Sequence, residues 1–469
     1  MRDDGIESVC DHHAGIEFAP PDSPLHMPTI TDVVCPVCGC VCDDLELTID
    51  DSRVLEVKRA CHLAEPWFLN QSSAKRLAAE IDGNAASLEE ALQRAVNILS
   101  HAKAPLIYGL SRSSTPGQRA AINLAERLGA TIDTTASMCH GPSIMAVQSV
   151  GESTCSLGEV RNRSDLVIFW GCHPAVSHPR HAERYSVFPR GQFVPRGRVD
   201  RTVVMIGDAR EVHDWRLDPS GSLPDIVIPI EPGRDFEAIT MLRAMLKGLP
   251  LPDTNLGQVQ TGASLTVLNS LVERMRSCKS GVVFFGLGLT GTSLGQTEPR
   301  SELGHSNVEC LLRLVTELNA VTRFYARRMR LQGDVSGADS VLCWQTGFPF
   351  SVNLARGYPR YNPGEYSANE LLERSEVDAC LLLGSETVPF FSAAAQAHLR
   401  AIPTITLDYP ASPPTLSPTV HITTSPYGLS ASGTIYRMDE VPLPLTAYLP
   451  SRYSTDEEIL SELTKRVRS

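Results

Sequence analysis

LVIFWGCHP, residues 166–174, opens with five consecutive large apolar residues and is stopped by a glycine. An apolar run of that length, closed by a turn residue, predicts a strand buried on both faces, as in a parallel sheet. Similar runs occur at 106–108, 203–206, 226–228, 282–285, 379–383 and 404–407, several of them ending in Gly or Asp. Between them lie segments of helical character. One opens at Ser87, where Glu90 three residues on predicts a capping box leading a helix through Leu88, Leu92, Val96 and Leu99. This strand, loop and helix rhythm belongs to open α/β sheets, which bind ligands at the carboxyl ends of their strands. The units are too many for one Rossmann-size domain, so two Rossmann-like α/β domains are expected, interleaved over 87–447.

The chain has 469 residues, is 42% hydrophobic and carries a formal net charge of −12 from 42 basic and 54 acidic residues. The acidic balance argues against nucleic acid as a partner. No apolar run reaches the length of a membrane span, and the first thirty residues lack the apolar stretch of a signal peptide, so a cytoplasmic chain with no membrane contact is expected. Of the basic residues 36 are Arg and 6 Lys. Arginine forks suit phosphate or carboxylate, although coding bias gives the same excess. Residues 1–30 read as an irregular leader, whose Cys10, His12 and His13 read as unstructured, and 448–469 as a C-terminal tail.

Residues 31–86 form a separate module. Its sequence CPVCGCVCDDLELTIDDSRVLEVKRACHLAEPWF, residues 35–68, surrounds a predicted hairpin at 45–57 with five cysteines. Cys35, Cys38, Cys42 and Cys61 are spaced C-x2-C-x3-C-x18-C, which suits a [4Fe–4S] cluster that takes one thiolate per iron. A structural zinc site is the rival reading, and Cys40 is a spare thiol.

A second thiol, Cys139 in CHGPS, follows an expected strand end and precedes a helical run. A helix start favours a thiolate, so Cys139 reads as a nucleophile or metal ligand, or else as a buried cysteine beside a surface histidine. The CPVCGCVCDD module and CHGPS together resemble the molybdopterin/tungstopterin oxidoreductase superfamily and, within it, the B subunits of formylmethanofuran dehydrogenase. WQTGFPFSVNLARGYPRYNPGE (344–365), LLLGSETVPF (381–390) and SASGTIYRMDEVPLPL (430–445) strengthen the likeness, which spans about residues 31–447.

The resemblance implies that Cys139 is a ligand to molybdenum or tungsten carried by two pterin guanine dinucleotides, and that Cys35, Cys38, Cys42 and Cys61 hold the cluster. Formate and carbon dioxide would interconvert there, with His140 orienting an oxyanion or relaying a proton. Arg330 would neutralise formate, with Arg327 and Arg328 as alternatives. The dinucleotide contacts are expected at Gly171, Asp208, Gly286, Gly288, Gly291, Thr346, Gly347, Gly384, Ser385, Asp408, Gly433 and Thr434. The loop GLGLTGTSLG (286–295) reads equally as a phosphate cradle or a plain turn, and the Arg-rich 189–201 as phosphate contacts or a solvated loop. Cys172-His173 departs from the small polar residue and Asn that relatives carry after this glycine. The family also lacks the C-terminal β-barrel of longer relatives. It works beside A, C and D type subunits and a ferredoxin-like electron carrier, with formate passed to or from methanofuran on a partner chain. An alternative is the non-redox scaffold role of the B subunit in the related formyltransferase/hydrolase complex of formaldehyde oxidation.

Overall fold

The computed structural model describes residues 28–251, 261–291 and 303–467. Cys10, His12, His13 and positions 292–295 of the Gly-rich loop lie outside the described residues.

Two sheets carry the architecture, one wholly parallel and one parallel at its centre. The first has five strands in the spatial order Ile226–Ile230, Thr202–Asp208, Leu166–Trp170, Gly281–Phe285 and Phe324–Arg328, all parallel. Leu166–Trp170 and Gly281–Phe285 are buried at every position, the burial that their unbroken apolar runs require. The second sheet has nine strands: Arg360–Tyr361, Val352–Asn353, Thr131–Thr134, Pro105–Gly109, Ala379–Leu383, Thr404–Asp408, Val420–Thr423, Ala79–Ile81 and Asn84–Ala86. Its five central strands are parallel, and an antiparallel pair closes each edge. In sequence, all five strands of the first sheet fall between Thr131–Thr134 and Val352–Asn353 of the second.

Helices cover both sheets. Leu88–His101 starts at the expected capping box: the Ser87 Oγ accepts from the Glu90 N–H, and the Glu90 carboxylate accepts from the Ser87 N–H. Its Leu92, Val96 and Leu99 enter the core beneath the nine-stranded sheet. Asp456–Arg466 is also a helix, and it buries Ile459, Leu460 and Leu463 in that same core. The cysteine-bearing segment holds a three-stranded antiparallel sheet of Thr29–Val33, Leu45–Ile49 and Val54–Lys58. Asp50 closes its hairpin by accepting the N–H groups of Ser52 and Arg53, each at 2.9 Å. Among the described residues no helix is long and apolar enough to cross a membrane.

Candidate active site

The loop after Thr29–Val33 folds back on itself. The Cys35 N–H donates to the Cys42 carbonyl at 2.8 Å, and the Val41 N–H to the Cys38 carbonyl at 3.1 Å. Cys61 enters from the far end of the hairpin, its carbonyl accepting the Ala64 and Glu65 N–H groups at the start of helix Ala64–Ser73. Cys35, Cys38, Cys40, Cys42 and Cys61 thereby line one enclosed cavity, together with Leu45 and Arg180. None is in a disulfide. Burial pushes the Cys42 thiol up to about 12, against the pull of Arg184 and Arg180. Cys35 is also held well above the ordinary range by burial and by its sister thiols. Cys38 moves the other way because Cys40 hydrogen-bonds to it. Among the described residues no three His, Cys, Asp or Glu side chains gather as they would around a single metal ion.

Cys139 stands between strand Thr131–Thr134 and helix Gly141–Val150. His140 caps that helix and is fully buried. Its Nε2–H donates to the Met329 carbonyl at 3.2 Å, and its Nδ1 faces the Ser143 hydroxyl at 3.2 Å, so both ring nitrogens are engaged. Burial and the nearby Arg330 and Arg328 keep the imidazole neutral, well below its ordinary value. From sequence the histidine reads as a surface residue, or as one that orients an oxyanion or relays a proton. Here it joins the helix start to the segment that follows strand Phe324–Arg328.

Of the three arginines in RRMR, Arg330 is the one whose charge bears on Cys139. Burial raises the Cys139 thiol to about 11, and the Arg330 guanidinium works against that rise. Arg330 is 3% exposed. It donates to Asp339 Oδ2, whose Oδ1 accepts from the Thr134 hydroxyl at 2.7 Å. Its Nε has no hydrogen-bond partner, which leaves a buried donor for an anion. Arg328 pairs with Glu152 at 3.4 Å, and Arg327 bears on Cys155 instead. Asp339 gives no sequence signal beyond being a lone acid in an apolar helix.

The candidate dinucleotide residues separate into groups. Gly171, Asp208 and Gly288 line one cleft at the carboxyl edge of the five-stranded sheet, with Cys172, His173, Trp215, Glu231 and Asp235. Gly171 has φ 58°, and a Cβ there would lie 2.6 Å from the Leu289 nitrogen. Gly286 and Gly288 likewise meet the 171–172 backbone, so these glycines let two loops interlock. Gly291 ends the short helix Leu287–Thr290 in the left-handed region. Cys172-His173 sits in the cleft, where His173 Nε2 faces Glu211 at 3.0 Å.

At the edge of the nine-stranded sheet, Asp408 accepts from the Ser385 N–H at 2.7 Å and its hydroxyl at 2.8 Å, ordering the loop after Gly384. Gly433 packs against Ser114, and the Thr434 carbonyl faces the Thr115 hydroxyl at 3.5 Å. Thr346 and Gly347 end helix Val335–Thr346, Gly347 as its left-handed cap. Residues 189–201 include Arg201, whose guanidinium donates to the backbone carbonyls of Val187, Pro189 and Arg161.

No protein-family model matches the sequence. The sequence is 38% identical over 448 residues to the B subunit of the tungsten-containing formylmethanofuran dehydrogenase 2 of Methanocaldococcus jannaschii, covering 94% of this chain and 98% of that protein. It is 25% identical over 317 residues to the B subunit of the formyltransferase/hydrolase complex of Methylorubrum extorquens, covering 67% and 76%. Solved structures that share the fold include two of known context. The formyltransferase/hydrolase complex of Methylorubrum extorquens, solved with methylofuran, matches at TM-score 0.65 and 23% identity, covering 83% of this chain and 98% of that one. Acetylene hydratase from Pelobacter acetylenicus matches at TM-score 0.63 and 10% identity, covering 93% and 69%.

Proposed function

We propose, for a chain that belongs to the family of formylmethanofuran dehydrogenase B subunits, that it is the redox component of a multi-subunit complex, interconverting formate and carbon dioxide at a pterin-bound tungsten or molybdenum. The observation that carries this reading is Cys139 set against a buried Arg330 with an unpartnered N–H. A thiol supplies a soft ligand, and a desolvated guanidinium supplies the countercharge for a small carboxylate. The donor sets fit the groups in question. Cys139 would hold the metal, and Cys35, Cys38, Cys42 and Cys61 would hold a [4Fe–4S] cluster in a cavity that places one thiol after another around a common space. The cleft around Gly171, Asp208 and Gly288 would take part of a pterin dinucleotide. When bound, the metal supplies two-electron chemistry at carbon.

The chain's own residues then do the positioning. Arg330, fixed by Asp339 and through it by Thr134, would orient the carboxylate. His140, neutral and tied to Met329, would keep the Cys139 turn in register with Arg330. Subunits of the A, C and D types and a ferredoxin-like carrier would complete the complex, with transfer to methanofuran on a partner. The cluster, the metal and these roles rest on the fit just described.

Analysis of the anaerobically purified complex for iron, tungsten, molybdenum and pterin tests the reading. About four irons per chain with tungsten or molybdenum and extractable pterin is the expected result. Pterin and metal both absent would favour the second reading, a non-redox scaffold subunit, to which the Cys172-His173 pair in the cleft points.

A further inference from the structure

Beside Cys139 lies a narrow enclosed cavity, lined also by Tyr108, Thr135, Met138, Gln332, Thr387 and Phe390. Its polar lining is unusual. The hydroxyls of Tyr108, Thr135 and Thr387 are all buried, at 0%, 5% and 2% residue exposure, and none has a hydrogen-bond partner. The Tyr108 and Thr387 hydroxyls are neighbours close enough to interact, but neither makes a well-formed hydrogen bond, and the Thr135 hydroxyl has no partner at all. A buried hydroxyl with no partner costs free energy, so three around one cavity call for something that fills it. They come from separate places in the chain: strand Pro105–Gly109, the turn before Cys139, and the loop following Ala379–Leu383. Only the assembled carboxyl edge of the nine-stranded sheet brings them together.

Resting on the redox reading above, we infer that Tyr108, Thr387 and Thr135 form the hydrogen-bonding wall of the one-carbon substrate site, with the Tyr108 hydroxyl donating to a carboxylate oxygen. Of the remaining walls, Met138, Leu331, Val335 and Phe390 are apolar, and Cys139 and Gln332 complete the lining. The apolar walls leave the hydroxyls, with the Gln332 amide, as the uncharged hydrogen-bonding groups of the cavity. Tyr108 is well built for the task. Its ring packs on Phe391 at 4.8 Å between centroids, which fixes the phenol, while its buried hydroxyl makes no well-formed hydrogen bond within the fold.

The test uses the purified complex as wild type, Tyr108→Phe and Thr387→Val, with formate binding measured by isothermal titration and melting temperature recorded for each. Tyr108→Phe should weaken formate binding about tenfold, the loss of one hydrogen bond to a charged group. Its melting temperature should hold or rise, since only an unpartnered hydroxyl is removed. A structural role for the hydroxyl would instead lower the melting temperature. Formate affinity unchanged in Tyr108→Phe would mean the hydroxyls hold water only, and would overturn the assignment. Wild-type complex that binds no formate would overturn it too. Formate binding that depends on Tyr108 in a complex without tungsten, molybdenum or pterin would sink the redox reading and leave this site standing.

Discussion

Cys38 and Gln332 pair across an isolated antiparallel bridge, and the Gly333 N–H donates to the Val37 carbonyl at 3.1 Å. Gln332 also lines the cavity beside Cys139. The cysteine module and the candidate catalytic site are thus joined by backbone pairing rather than by a flexible contact. Under the redox reading, this pairing is a direct bonded link between the cluster module and the metal site. Gly333 is the point to break it. Its φ is 46°, and a Cβ would fall 2.1 Å from the Ser111 carbonyl oxygen, a backbone atom that cannot swing away. Gly333→Ala is expected to cost about 1–3 kcal/mol. It should slow formate-dependent dye reduction at least tenfold while iron per chain is kept. Full activity with an unchanged melting temperature would show that the link is not needed.

Arg330 makes a sharper prediction because its partner is known. Arg330→Lys keeps the charge but loses the fork that Asp339 orients. Formate kcat/KM should fall by roughly 100-fold, in line with a loss of about 3 kcal/mol in a charge-assisted pair. Arg330→Ala leaves Asp339 buried without its countercharge and should also destabilise the fold, by about 3–5 kcal/mol. Asp339→Asn should reduce kcat/KM less than Arg330→Lys, because the guanidinium remains. Steady-state kinetics on the three variants, with melting curves, checks the order. Arg330→Lys at wild-type kcat/KM would remove Arg330 from the site.

How far these features are legible in the sequence depends on whether the signal is local. The runs at 166–170, 282–285 and 379–383 announce buried strands because a parallel sheet demands apolar residues on both faces, and they are strands here. The capping box at Ser87 is equally local. The strand Thr29–Val33 gives no such warning: TITDV mixes polar and apolar residues, and four of its five positions stay at least partly exposed. In the candidate site the thiols stand out by spacing, but their partners do not. Tyr108 looks like one more core residue of an apolar strand, and its unpartnered hydroxyl shows only after the Thr387 loop is folded beside it. Asp339 is 205 residues from Thr134 and acquires its role from a pairing that no periodicity encodes.

Cys139 separates the chemical role from a packing role. It lies in a turn whose backbone is held by the bond from the Cys139 N–H to the Ala136 carbonyl at 3.0 Å, which Cys139→Ala preserves. The variant should fold, keep its iron and lose formate-dependent dye reduction together with tungsten or molybdenum, since a thiolate ligand to such a metal has no substitute in alanine. Metal content and activity measured on one preparation check this. Full activity in Cys139→Ala would remove the cysteine from the chemistry.

Asp456 gives a pH prediction that is independent of any cofactor. The carboxyl is buried at the start of helix Asp456–Arg466, where Oδ1 accepts from the Tyr427 hydroxyl at 2.5 Å. Burial raises it from 3.8 to about 6, although bonds from Ser113, Tyr427 and the Glu457 N–H pull the other way. A raised carboxyl binds its proton more tightly folded than unfolded. The stability this brings is therefore complete below about pH 4 and is lost as pH rises through about 6. Two units correspond to about 3 kcal/mol. Asp456→Asn keeps an oxygen for Tyr427 and does not titrate. Its melting temperature relative to wild type should rise by several degrees between pH 4.5 and pH 7. A difference that stays constant over that interval would show that Asp456 does not titrate there in the folded chain, and would remove it as the source of the pH dependence.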